Sequence, residues 1–266
     1  MNTIQQSTSS QSNKQSNKQS KLNGGTTPIE DSNNSQDLLA RIDTLIEEHH
    51  ILTHPFYQAW NEGTLPKEAL KAYAAQYYKH VDAFPQYLAS IYANCSNNVL
   101  RKEILANLIE EDSGEENHPE LWRWFAEGIG VNRDHLESCE SYMETRKAIE
   151  DFRAISTDMH AAAGMAAMYA YEAMVPETAQ SKIDGLKKHY SIDDEKTLAY
   201  FQVHESLDRK HRAINRQLIG DLIDDAVKKG SDVVALKEAC ESAAKSALDA
   251  VWSILSGVHD RHCVAA

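Results

Sequence analysis

From Asp37 onward the apolar residues of this chain recur at three- and four-residue intervals, as in Leu38, Leu39, Ile42, Leu45 and Ile46, and no stretch alternates in the two-residue rhythm of a strand. That rhythm admits helices and little else. Only 11 Gly and 6 Pro stand among 266 residues, too few turn formers for an all-β chain, while 42% apolar residues suffice for one large core. The expected fold class is therefore all-α, a bundle of seven or eight helices.

The stripe that begins at Asp37 gives the first helix. A break at His54-Pro55 precedes a short segment through Trp60, and Pro66 suits the first turn of a long helix to about Asn94, which Pro85 should kink. Further helices are expected over 98–112, from a cap at Asn117-His118-Pro119, over 134–156 and over 157–174. The last of these is paved with Ala161, Ala162, Ala163, Gly164, Ala166, Ala167 and Ala170, which permits close approach at the centre of a bundle. Pro176 ends it, a short helix follows through Lys188, and two long ones fill 193–228 and 231–259.

Residues 1–36 are rich in Ser, Gln and Asn and cannot offset their ordering entropy by burial. They are expected to form a disordered polar tail ahead of one helical domain at 37–266. The tail lacks the apolar centre of a secretory signal, and no apolar run approaches the length of a membrane span. A net charge of −13 repels phosphate backbones, which argues against nucleic acid as a partner. Cys95, Cys139, Cys240 and Cys263 form no CxxC pair, so the expected setting is the reducing cytoplasm.

Three polar features interrupt this helical pattern. In His204-x3-Asp208-x2-His211, offsets of four and seven place three side chains on one helical face, where a metal would gather them or solvent would simply cover them. Glu110-Glu111-Asp112 precedes His118, with seven residues from Glu111 to His118 and Glu115-x2-His118 as a competing pair. Glu172 lies in the small-residue helix, and no Arg or Lys occurs between Thr157 and Met174, so burial there demands a basic partner or a metal. Together Glu111, His118, Glu172, His204, Asp208 and His211 make a mixed nitrogen and oxygen set that suits iron or manganese.

The motifs His54-Pro55-Phe56-Tyr57, Glu110-Glu111 through His118-Pro119-Glu120-Leu121-Trp122, Tyr171-Glu172 and His204-Glu205-x2-Asp208-x2-His211 resemble those of the haem-oxygenase-like dimetal oxidases. The resemblance is strongest to the branch of chlamydial proteins associating with death domains, and it covers approximately Leu38 to Leu222. It implies a seven-helix haem-oxygenase-like bundle, here with an extra C-terminal helix, and a dinuclear iron or mixed iron/manganese site on the six residues named above. It also implies oxygen-dependent formation of para-aminobenzoate, a folate precursor, from the protein's own residues. On that resemblance Tyr57 matches the ring source, Lys182 the amino donor and Tyr171 a second tyrosine beside the metal site. Molecular oxygen and an external reductant would be consumed, and each chain would act about once.

Four other readings compete. A conventional dimetal oxygenase would use the same ligands on an external amine or fatty acid and turn over repeatedly. Thiaminase-like pyrimidine hydrolysis would need a cysteine nucleophile, for which Cys95 and Cys139 lack an evident context. An interaction module that binds death domains is the third, and haem ligation by His49, His50, His54 or His80 is the fourth, although unplaced histidines are usually structural. The sequence leaves open whether the chain forms a homodimer.

Overall fold

The structure, a computed structural model, describes residues 29–263, and the side chains from 35 onward with the exception of 206–210. Among the described residues there are eleven α-helices and no strand. They are α1 (Ile29–Glu48), α2 (Pro55–Glu62), α3 (Lys67–Asn94), α4 (Arg101–Asp112), α5 (His118–Gly128) and α6 (Arg133–Ser138). After these come α7 (Met143–Asp158), α8 (Ala161–Glu172), α9 (Val175–Tyr190), α10 (Glu195–Lys228) and α11 (Val233–His262).

The all-α expectation holds, and the higher count arises from short elements. Helix α2 is eight residues long, and the stretch expected as one helix over 134–156 divides into the six-residue α6 and a separate α7. Helix α1 starts at Ile29 rather than Asp37, because a polar first turn carries no apolar stripe to mark it. Of the expected tail, residues 1–28 lie outside the described residues. Helix α3 runs on through Pro85, whose missing N–H is the one that would otherwise reach the carbonyl of Val81.

Helix α8 occupies the centre. Every residue from Ala161 to Glu172 is buried, as a helix apolar on all sides must be. Its small side chains let neighbours close in, and at Gly164 a Cβ would stand 2.7 Å from Cγ1 of Ile91 on α3. Helix α11 is no appendage: it packs most extensively against α8 and α7, burying Ala243, Ala247, Leu248, Val251 and Ile254. Helix α10 packs against α9, α5 and α8 and reaches α4 where His211 hydrogen-bonds Glu110, so one long helix touches most of the segments that supply candidate site residues.

A second close approach seats α9. Gly185 faces Trp60 of α2 so tightly that a Cβ would lie 2.5 Å from the indole Cδ1 and Nε1. The same indole N–H donates to the Lys182 carbonyl at 3.4 Å. These contacts put the α9 backbone at Lys182 directly against the helix that carries Tyr57.

A candidate metal centre and a lysine cage beside it

Asn117 caps α5, its side-chain oxygen accepting from the Glu120 amide at 3.1 Å, and so sets His118 as the first helical residue. From there the imidazole turns back to α4, where its Nδ1 lies 2.6 Å from Oε2 of Glu111. The pair expected at a seven-residue spacing therefore forms, and the competing Glu115 is exposed. From α10, His204 brings its ring to a centroid distance of 4.4 Å from His118. Its Nδ1–H donates to the Tyr200 carbonyl at 2.7 Å, which leaves Nε2 with the lone pair a metal would take.

Glu111, His118 and His204 are all buried, and a ligand atom from each lies within 4.8 Å of the others. These three can hold a metal ion. Burial, and after it the neighbouring His118, holds the His204 imidazole well below its usual pKa, so the ring is neutral and ready to ligate at neutral pH. Two imidazoles and a carboxylate in a closed setting suit a divalent first-row metal ion.

The remaining expected ligands stand nearby in different arrangements. Glu172 lines a cavity of about 10 Å³ together with Glu111 and His204, and its two oxygens accept from Asn107 and Asn215. Besides the base or metal expected from the sequence, this buried carboxylate has neutral amides from two other helices as partners. His211 Nε2 is hydrogen-bonded to the carboxylate of Glu110, a residue on the outer side of the Glu110-Glu111 pair. The Asp208 side chain lies outside the described residues, while its backbone continues α10 one turn beyond His204.

Next to this centre Lys182 enters an aromatic cage. Its Nζ stands 5.3 Å from the Tyr57 ring centre, 5.5 Å from Tyr73 and from Tyr77, and 5.2 Å from Phe201. Burial pushes its pKa down to about 7, so a large share of the amine is unprotonated at neutral pH. Tyr57 is fully buried, and desolvation raises its pKa well above the ordinary phenol value.

The phenols form a continuous series. Tyr57 and Tyr73 share a hydrogen bond of 3.0 Å, Tyr73 and Tyr77 pack ring to ring at 5.1 Å, and the Tyr77 hydroxyl donates to Tyr171 at 3.0 Å. Tyr171 lines the cavity at the metal centre and also a second cavity of about 10 Å³ at Lys182. Tyr200 and His204 line both as well, so the two chambers share a wall.

Sequence reasoning missed Tyr73, Tyr77, Phe201, Asn107 and Asn215. The first two are four residues apart on α3 and the asparagines stand four residues from Glu111 and His211, so helical spacing was the available signal. Of the histidines weighed for haem, His50 and His54 cap short helices with their Nδ1 atoms. His80 is buried among Tyr77, Phe84, Tyr87, Phe152 and Tyr171, and both ring nitrogens lack a hydrogen-bond partner among the described residues. Cys139 lines a separate surface cleft with Gln76 and Tyr142. No helix among the described residues is long and apolar enough to cross a membrane.

Comparison with known proteins agrees with this architecture. Residues 39–219 match the TENA/THI-4/PQQC family. The chain is 37% identical to a 4-aminobenzoate synthase of Nitrosomonas europaea over 84% of its own length and 91% of the relative's. It is 36% identical to a 4-aminobenzoate synthase of Chlamydia pneumoniae, over 81% and 92% of the two chains. Among solved structures, a TenA homologue from Pseudomonas syringae pv. tomato superposes with a TM-score of 0.72 at 16% identity, covering 90% of this chain and 99% of the other. A Shewanella denitrificans domain with a haem-oxygenase-like fold gives a TM-score of 0.63 at 15% identity over 86% and 92%. The haem-oxygenase-like helical fold expected from the motifs is the one observed.

Proposed function

The chain belongs to the TENA/THI-4/PQQC family, and from that membership we propose that it forms 4-aminobenzoate in an oxygen-dependent reaction, taking the ring from its own Tyr57 and the amine from Lys182. The observation that carries this reading is the cage itself: amine and phenol face each other inside the core, one wall away from the candidate metal centre. The scale of the chambers supports a self-derived substrate. A cavity of about 10 Å³ has room for roughly one water, whereas pockets for drug-sized ligands run to roughly 300 Å³ or more.

Each side chain has a physical task in this scheme. Glu111, His118 and His204 would hold metal directly, with Glu172, Asp208 and His211 completing a dinuclear set of iron or of iron with manganese. When bound, such metals supply the reduction of molecular oxygen with electrons from an external reductant. Lys182, desolvated and in substantial part neutral at pH 7, presents a nucleophilic lone pair that an exposed ammonium would lack. Tyr73 holds the Tyr57 hydroxyl in place, and the ring packs against Phe56, Trp60 and Tyr73, which keeps water from the reacting face. Tyr77 and Tyr171 connect the two chambers through hydrogen-bonded hydroxyls.

The test is a reaction of purified protein with iron, manganese, reductant and oxygen but no organic substrate, followed by measurement of 4-aminobenzoate and intact mass. The expected result is at most about one equivalent of product with a matching mass loss, both absent from Tyr57→Phe. Product accumulating well beyond one equivalent, or an unchanged mass, would overturn the self-derived route.

A further inference from the structure

Glu172 is the candidate ligand supplied by the wholly buried helix α8, and both of its carboxylate oxygens meet neutral amides. Asn107 Nδ2 donates to Oε1 at 3.3 Å, and Asn215 Nδ2 donates to Oε2. The two asparagines are themselves buried, at 7% and 3% exposure. Asn107 keeps its orientation although its own Oδ1 has no hydrogen-bond partner among the described residues. A side chain that leaves its carbonyl unsatisfied to direct its N–H at one acceptor is serving that acceptor.

The placement of these amides follows the ligand-bearing helices. Asn107 stands one turn before Glu111 on α4, and Asn215 one turn after His211 on α10, so each extends a ligand stripe by four residues. Three helices thereby converge on one carboxylate. We propose that Asn107 and Asn215 are positioning residues of the metal centre, an amide clamp that fixes the orientation of Glu172 before any cation binds. The proposal rests on the metal-centre reading above and extends it to residues that do not themselves ligate.

Neutral amides suit this task for a specific reason. An Arg or Lys in either place would pair with Glu172 and compete with a metal for its charge, and an Asp would repel it. One amide donates to each oxygen without neutralising the carboxylate's negative charge, which a cation would then meet. Outer residues that orient a metal ligand typically shift affinity by about 10- to 100-fold when removed.

The test compares wild type with Asn107→Leu, Asn215→Leu and Asn215→Asp, using Mn(II) alone as the probe. Equilibrium dialysis with elemental analysis gives affinity and stoichiometry, electron paramagnetic resonance of bound Mn(II) reports the coordination symmetry, and circular dichroism confirms the fold. Folded Leu variants that bind Mn(II) about 10- to 100-fold more weakly, with an altered resonance spectrum, support the clamp. Folded variants with unchanged affinity and spectrum overturn it while wild-type binding leaves the metal centre standing. Failure of all three variants to fold assigns the asparagines to stability and also overturns it. A wild type that binds no Mn(II) removes both readings together.

Discussion

The Nζ of Lys182 and the ring of Tyr57 come within 5.3 Å of each other from helices α9 and α2, in a pocket closed by Tyr73, Tyr77 and Phe201. Arginine in place of Lys182 would keep a cation against the same rings, but its guanidinium stays protonated and offers no nucleophilic lone pair. Lys182→Arg should therefore abolish 4-aminobenzoate formation while Mn(II) binding persists. Product from this variant, measured by chromatography against wild type, would remove the lysine from the reaction.

The depressed pKa of Lys182 also makes a pH-dependent prediction. Between about pH 7 and the ordinary value of 10.5, the unfolded chain holds a proton that the folded chain has released. Stability therefore rises with pH across that window, by about 1.4 kcal/mol per unit, and the burden of the buried charge is present in full below pH 7. Urea unfolding of wild type and Lys182→Met at pH 7 and pH 9 should differ by about 2–3 kcal/mol in their pH response. In the same way, the rate of product formation should drop roughly tenfold per pH unit below 7, as the neutral amine is depleted. Equal responses in both chains would contradict the assignment.

Gly185 tests whether the seating of α9 sets the position of the amine. A methyl group there collides with the Trp60 indole, and overpacking of this kind typically costs about 1–3 kcal/mol. Gly185→Ala should lose product formation more severely than stability, because relief of the clash moves the Lys182 backbone away from α2. Single-turnover assays beside urea unfolding would separate the two effects, and wild-type rates in the variant would refute the geometric argument.

Metal binding should appear as stabilisation. At a hundredfold excess over the dissociation constant, a ligand of the folded state adds about 2.7 kcal/mol. Mn(II) should therefore raise the melting temperature of wild type, and His204→Ala should lose most of that rise. Asn117→Ala should retain a smaller rise, since the lost cap, worth about 1 kcal/mol, loosens the start of α5 at His118. Identical shifts in wild type and His204→Ala would argue that the cation binds elsewhere.

Much of this could be read in the sequence because helical spacing encodes it. The stripe at Leu38–Ile46, the cap at Asn117 and the all-buried α8 each follow from residue type at a known interval. The Glu111–His118 pair was legible only as one of two alternatives, since Gly114 interrupts the helix between them, and tertiary folding decides between Glu111 and Glu115. The lysine cage was legible only in part, because the resemblance named Tyr57 and Lys182 but not the other rings around the amine. Tyr57, Tyr73, Phe201 and Lys182 come from four helices, and only their packing reveals that one amine faces four rings. The amide clamp was hidden for another reason: Asn107 and Asn215 are ordinary polar residues until the acceptor between them is known.

The full burial of Tyr57 has a consequence for the lifetime of the molecule. Its ring is part of the interior, packed among Phe56, Trp60 and Tyr73. Truncating a buried aromatic costs about 3–5 kcal/mol, a large share of the roughly 5–15 kcal/mol that holds a domain together. On the proposed chemistry a chain that has reacted is therefore a wounded chain, hollow beside α2 and open to proteolysis. Output would then follow ribosomal production of new copies rather than elapsed time, and the cell would regulate this vitamin precursor by making and discarding protein.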